Sequence, residues 1–411
     1  MMIQSEDIGQ QRRTFVLELV RSIPQGILET LGLTFAMYVA IRIFGAPVWM
    51  KVAIGSSAGV GLLLSLFTVQ IVRRLGCSVN IASVTVWCFA AVGFFVSAMA
   101  GGSLGIYVVG VCLATVMLMA STPLISQIYR KHYANETRGK LFSIAGVVRG
   151  LATAITGVLV GAWLSERGSD YHGLFWLYGG CCIAMAVCVQ MMAKVTLRKA
   201  QSMKLFDAFR HVSGDKAFKK LLVTWMILGF GNLLCYALLV EFITNPIYGF
   251  TFDAKRVAWI TTTIPMIVYL LCIIPWGMVF DKLPFYRLRV LVNVFFISGA
   301  LSYYLGGTYL SLCIGMALYG VGRAGGNILW NLWVTKFSTE ENVGEYMSVH
   351  SFLTGVRSTL APVISFAIVG LVGASTIAIA GASMMVLSSA MLIPELIEES
   401  RARRKLISKL D

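Results

Sequence analysis

The feature that most limits what this chain can fold into is the length of its apolar runs. They extend for about twenty residues at a time, enough for a helix rising 1.5 Å per residue to cross ~30 Å of hydrocarbon. Twelve runs read as helices, at about 22–44, 47–71, 79–99, 104–128, 141–164, 174–194, 219–243, 257–280, 289–307, 309–334, 346–370 and 373–393. Composition agrees: 57% of the residues are hydrophobic and 13% charged, where a soluble domain has about half and about one quarter. The expected fold class is an all-α membrane protein with twelve transmembrane helices. Glu6, Asp7, Arg12, Arg13 and Glu18 crowd the start, with no small-residue cleavage site behind a short apolar core. No cleavable signal peptide is read, and the first helix is expected to stay in the mature protein.

Most connections are short. The exception, "VTLRKAQSMKLFDAFRHVSGDKAFKK", is long, polar and basic, and divides six helices from six. The expected organisation is an N-terminal segment (1–21), a first bundle (22–195), a basic middle loop (196–218), a second bundle (219–394) and a tail (395–411). Of the 34 Lys and Arg residues, 26 fall on the side of both termini and the middle loop and five on the other. Arg149, Arg323 and Arg357 lie inside helices. The positive-inside rule then puts both termini and the middle loop in the cytoplasm. The net charge of +15 therefore reads as a topology signal with an anionic-lipid contact, and not as a nucleic-acid surface. The nine cysteines have neither zinc-ligand nor disulfide-framework spacing and read as small buried hydrophobes.

The halves resemble one another. "NETRGKLFSIAGVVRGLATA" lies over "ENVGEYMSVHSFLTGVRSTLA", and "QGILETLGLTFAMY" over "LGFGNLLCYALLVE", which sets Glu29 against Asn232. Parallel six-helix repeats imply two bundles related by an axis along the membrane normal, with a site at their interface. Six plus six helices, both ends on one side and a long basic middle loop resemble the major facilitator superfamily over nearly the whole chain. The resemblance implies a cytoplasmic latch motif between helices. "GMVFDKLPFYRLR" matches it with Gly277, Asp281 and Lys282, although Pro284 stands where a glycine is usual. "TVQIVRRLG" keeps Arg73, Arg74 and Gly76 but lacks the aspartate. The resemblance further implies that helices 1, 4, 7 and 10 line a central cavity, with 2, 5, 8 and 11 beside them and 3, 6, 9 and 12 facing lipid.

Ionisable side chains deep in a membrane are costly and should avoid the lipid-facing set. The deep charges are Glu29, Arg149, Arg323 and Arg357, and all four fall on the cavity set. In "LYGVGRAGGNILWNLWVTKF", Arg323, Asn327 and Asn331 recur every four residues along one helix face. A guanidinium presents a planar fork that pairs bidentately with carboxylate or phosphate. Arg323 is thus read as holding an anionic group, Asn327 and Asn331 its polar remainder, and Trp330 and Trp333 its carbon skeleton. Arg357, Arg149, Asn232 and Tyr38 complete the candidate substrate-binding set. The competing reading is structural: Arg149 pairs with Glu29, Arg357 satisfies carbonyls near Pro362, and the asparagines bond between helices. Gly320, Gly322, Gly325 and Gly326 suggest close helix packing. Glu29 is the candidate for proton coupling, because a carboxyl whose arginine is captured by substrate is freed to take a proton. His350, at a helix start, reads as solvated, and Glu241 as reaching the outer interface.

No phosphate-cradling loop, metal-ligand cluster or Gly-x-Ser-x-Gly occurs, so neither an enzyme nor a cofactor is expected. The function expected is secondary active transport of a small anionic organic solute by alternating access, as symport or antiport, with proton coupling as the default. The alternative is an exporter of amphipathic or lipid-like compounds, for which 19 methionines and many aromatics suit an adaptable pocket. A sensor or scaffold that does not transport is a third class. The expected setting is a monomer in a prokaryotic cytoplasmic (inner) membrane.

Overall fold

The computed structural model describes residues 2–168, 170–197, 209, 214–337 and 343–407. At 2–8, 135–136, 216–217, 281, 331–337, 343–345, 400 and 402–407 it describes backbone only. Most of the expected middle loop, and the side chains of Asn331, Trp333 and Asp281, therefore lie outside the described residues.

Among the described residues, twelve helical rods run up and down. In the first half they are α1 (Met2–Thr30, a π-helical turn at Leu31–Phe35, then Ala36–Arg42), α2 (Val48–Leu75), α3 (Val79–Ala98), α4 (Leu104–Ala120 and Thr122–His132), α5 (Asn135–Arg167) and α6 (His172–Met191). In the second they are α7 (Lys216–Ala237 and Leu239–Thr244), α8 (Ala254–Ala258, a π-helical turn at Trp259–Thr263, then Ile264–Lys282), α9 (Phe285–Leu305), α10 (Tyr309–Phe337), α11 (Val343–Val372) and α12 (Ala374–Ala390). A further helix, α13 (Ile393–Ile407), follows. Among the described residues, ten helices are long and apolar enough to cross a membrane. Polar side chains mark several starts: Ser78 accepts from the Ile81 amide at 3.3 Å, Asp215 from Phe218 at 3.0 Å and Asp253 from Arg256 at 3.2 Å. Gly76, at φ 66°, ends α2 in the left-handed conformation that a side chain would resist.

The first rod begins some twenty residues before the apolar run that announced it. Its charges explain how. Arg21 Nη2 lies 2.7 Å from Glu18 Oε1 and 2.8 Å from the Tyr129 hydroxyl of α4, and that hydroxyl also donates to Glu18. Both charged residues are buried, so this stretch enters the bundle as a satisfied ion pair and the helix continues through it.

The packing repeats with a shift of six helices. Contacts of α1 with α5 and α6, of α2 with α4, and of α3 with α4 and α6 recur as α7 with α11 and α12, α8 with α10, and α9 with α10 and α12. One detail recurs atom for atom. A Cβ on Gly93 or Gly110 would meet the other's carbonyl oxygen where α3 crosses α4, and the same holds for Gly299 and Gly315 where α9 crosses α10. Missing side chains let both pairs of backbones touch. Between the bundles, α2 packs on α11 and α5 on α8, again a related pair.

Inter-bundle bonds concentrate away from the termini. On that far side Lys51 of α2 pairs with Glu241 of α7 at 2.7 Å, and Ser56 donates to the Thr359 carbonyl at 2.8 Å. The two π-helical turns meet there too, with the Thr34 hydroxyl 2.5 Å from those of Thr261 and Thr262. A Cβ on Gly161 would touch Ala258 and one on Gly157 would touch Thr262, so α5 and α8 are seated by glycine.

Candidate functional site

Beneath this seal lies a cavity of about 380 Å³ between the bundles. From the first bundle it is lined by Glu29 of α1 and by Gly146, Arg149 and Gly150 of α5. The second bundle supplies most of the wall. Asn232 and Tyr236 of α7, Tyr269 of α8, Tyr319, Arg323, Asn327 and Trp330 of α10, and Arg357 of α11 all open onto it. All four deep charges read from the sequence therefore reach one space.

The helices deliver these side chains for local reasons. On α10 the glycines pack against neighbours while Arg323 and Asn327 turn inward. Gly320 faces the Pro265 backbone, Gly325 faces Trp276 and Val292, and Gly322 and Gly326 face the Phe296 ring. Phe296 reaches the cavity through that gap, so among the described residues α9 contributes a lining residue while α2 and α4 contribute none. The expected division into cavity and lipid helices is corrected at helices 4 and 9. Asn327 Nδ2 donates to the Tyr269 hydroxyl at 3.0 Å and Asn232 Nδ2 to that of Tyr319 at 3.3 Å. Tyr236 stacks on Tyr319 at 5.8 Å, and Phe296 meets Tyr319 edge-on at 5.2 Å. The result is an aromatic box with amide corners.

The charges divide unequally between the bundles. Arg149 Nε lies 3.1 Å from Glu29 Oε1 on the first-bundle wall, and both side chains are about one-quarter exposed (26% and 27%). Thr153 supports the pair: its hydroxyl bonds the Gly26 and Arg149 carbonyls at 3.0 Å. On the second bundle no carboxylate lies within 4 Å of Arg323, Arg357 or Arg289 among the described residues. Arg323 sits with Cζ 5.7 Å from the Tyr269 ring. Arg357 donates Nη1 to the Trp225 carbonyl at 2.6 Å, while its buried Nε finds no acceptor among the described residues. A Cβ on Gly229 would overlap the Arg357 guanidinium, so that glycine is its seat.

Arg289 had been placed at a helix start by the sequence. The structure buries it to 1% exposure, with Cζ 3.2 Å from the Trp225 ring centroid and, among the described residues, no acceptor for Nε or Nη2. His350 is likewise fully buried, packing 5.7 Å from Trp225 and 5.4 Å from Trp330, which corrects its reading as solvated. Helix-start positions look exposed in sequence, yet these rods project past the apolar runs and still pack there.

The remaining candidates lie elsewhere. Tyr38 is buried on the far-side part of α1 and does not line the cavity. Arg73 and Arg74 end α2, and Gly277 and Lys282 lie near the end of α8, all on the termini side. Arg73, Arg74 and Lys282 enter no ion pair among the described residues.

Comparison with known proteins gives the same architecture. Residues 234–409 match the family model described as Major Facilitator Superfamily. A search of curated protein sequences found no match. Among solved structures, the nucleoside transporter NupG aligns at TM-score 0.73 with 16% identity, over 92% of this chain and 98% of that one. A POT family transporter bound to a thioalcohol-conjugated peptide aligns at 0.75 with 12% identity, over 93% and 95%. The human organic anion transporter MFSD10 (TETRAN) aligns at 0.65 with 14% identity, over 93% and 99%. At these identities the likeness is one of fold.

Proposed function

We propose that this chain, which has the major facilitator fold throughout and the superfamily's sequence signature over residues 234–409, is a secondary transporter of a small organic anion. The observation that carries this reading is the uncompensated charge of the second bundle. An unpaired buried guanidinium costs several kcal/mol, and a fold retains such a cost where a ligand offsets it. Arg323 and Arg357 face the cavity with no carboxylate within 4 Å among the described residues, while the amides and aromatic rings around them supply orientation and apolar contact. The organic anion transporter among the similar structures is consistent with this choice; the nucleoside and peptide transporters show that the same fold takes other solutes.

The far-side seal and the cavity beneath it fit one half of an alternating-access cycle, with the open path toward the termini. Basic residues gather on that side, so it is assigned to the cytoplasm. Glu29 serves as the coupling group. Substrate drawing Arg149 away would leave its carboxylate without a cation and able to take a proton.

Uptake into proteoliposomes tests both parts. Arg323→Ala abolishes transport of anions; unchanged anion flux, or flux of neutral amphipaths alone, would replace this reading with the exporter. Glu29→Gln abolishes accumulation driven by a proton gradient but preserves solute counterflow. If gradient-driven accumulation survives the substitution, Glu29 is not the coupling group.

A further inference from the structure

We propose that the solute is a dianion, carrying either two carboxylates or one phosphate monoester. This rests on the reading of the cavity as an anion site and adds the charge number. Among the described residues, the cavity's ionic lining consists of Glu29, Arg149, Arg323 and Arg357. Glu29 pairs with Arg149 at 3.1 Å, so its one negative charge offsets one of the three positive ones. Two guanidiniums remain, both on the second bundle and both without a carboxylate within 4 Å among the described residues. A monoanion would leave one of them uncompensated in a poorly solvated space, and a dianion would leave none.

Both arginines are held as a site rather than left as loose charges. Arg357 is drawn against α7 by the Trp225 carbonyl at 2.6 Å and fits there because Gly229 has no side chain. It is 7% exposed, so its charge cannot be relieved by bulk water. Arg323 stands over Tyr269, whose hydroxyl is already engaged by Asn327. Arg289, stacked behind Trp225 and lacking an acceptor at Nε and Nη2 among the described residues, does not line the cavity and so does not enter this count. The field across the cavity therefore runs from one bundle to the other. It orients the anionic groups toward α10 and α11 and the carbon skeleton toward the Tyr236, Tyr319 and Phe296 rings.

The test is a calorimetric and thermal-shift series on the purified full-length chain at pH 8, where a phosphate monoester is fully dianionic. Three compounds share one skeleton and differ in charge: phthalate, its monoamide and its diamide. Succinate with its two amides gives a smaller skeleton, and phenyl phosphate distinguishes the phosphate source from the dicarboxylate. The expected result is at least about tenfold tighter binding of a dianion than of its monoamide, a difference of about 1.4 kcal/mol. In Arg357→Gln and in Arg323→Gln that ratio falls toward one, while Arg357→Lys, which keeps the charge, preserves much of it. Equal binding of monoamide and dianion overturns the charge assignment and leaves the anion site standing. Binding of the diamides alone overturns both. Silence from every dianion at millimolar concentration also overturns the assignment. A variant that fails to fold is replaced as evidence by the other position, since each arginine alone must alter the ratio.

Discussion

Glycine 229 does for Arg357 what a carboxylate would usually do for a buried cation: it gives the guanidinium a place to rest. A Cβ there would overlap the guanidinium, yet Gly229 sits in mid-helix, where alanine is intrinsically better by about 1 kcal/mol. Gly229→Ala is therefore expected to separate two properties that usually move together. The guanidinium must leave the Trp225 carbonyl and swing toward the cavity, so anion affinity falls by about tenfold, or ~1.4 kcal/mol. The thermal midpoint without ligand stays near that of the parent, because the displaced cation reaches the cavity and the helix gains propensity. Calorimetry beside a melting curve reads both; a midpoint that falls with no change in affinity would show that Gly229 serves only packing. None of this was legible beforehand, since a sequence does not show which side chain an absent Cβ admits. The four deep charges were legible because ionisable residues stand out inside apolar runs. The burial of Arg289 was not legible because the residue sits four positions past Phe285, where an apolar pattern has barely begun. Tyr38 shares a face with Thr30 and Thr34, but face alone does not give height, and it lies on the far-side part of α1, beyond the cavity.

At the scale of the helix the recurring device is a pair of glycines where two rods cross. Gly93 with Gly110 and Gly299 with Gly315 repeat it in the two bundles, so the repeat is written more sharply in packing than in sequence. Spans of apolar residues indicated the number of rods, because length against hydrocarbon thickness is a one-dimensional constraint. Rod ends were misplaced wherever polar residues find partners inside a bundle, as Glu18 and Arg21 do with Tyr129. Contact between glycines leaves a testable sign. Gly110→Ala puts a methyl group into the Gly93 carbonyl and the Ser97 side chain and should destabilise by about 1–3 kcal/mol through overpacking. Gly105→Ala, on the same helix, meets nothing within 4 Å and should be neutral or stabilising by up to about 1 kcal/mol. Melting curves of the two variants are expected to shift in opposite directions; equal shifts would mean that the crossing is not held by close backbone approach.

At the scale of the whole molecule, among the described residues the two bundles share one buried ion pair on the far side, Lys51 with Glu241. Their side chains are 9% and 2% exposed, Asn245 donates to the same Glu241 oxygen at 2.8 Å, and the Phe366 ring lies 5.6 Å from Lys51 Nζ. The pair exists only while α2 and α7 stay together at that end, so it stabilises the sealed arrangement and not the one that opens there. Removing one partner of a buried pair typically costs about 3–5 kcal/mol, because the other charge is left unpaired. That cost falls on the sealed state alone, since opening returns the stranded charge to water. Glu241→Gln should therefore shift the equilibrium toward far-side opening, by tenfold for each ~1.4 kcal/mol of difference between the states. Spin labels at Trp49 and Ile247, 65% and 72% exposed beside α2 and α7, would report the change as a longer distance population. Combining Lys51→Gln with Glu241→Gln removes the stranded charge and should restore part of the short-distance population. A distance distribution unmoved by Glu241→Gln, with only the melting point lowered, would make the pair a fastener within the fold and place the control of opening in the threonine contacts between the two π-helical turns.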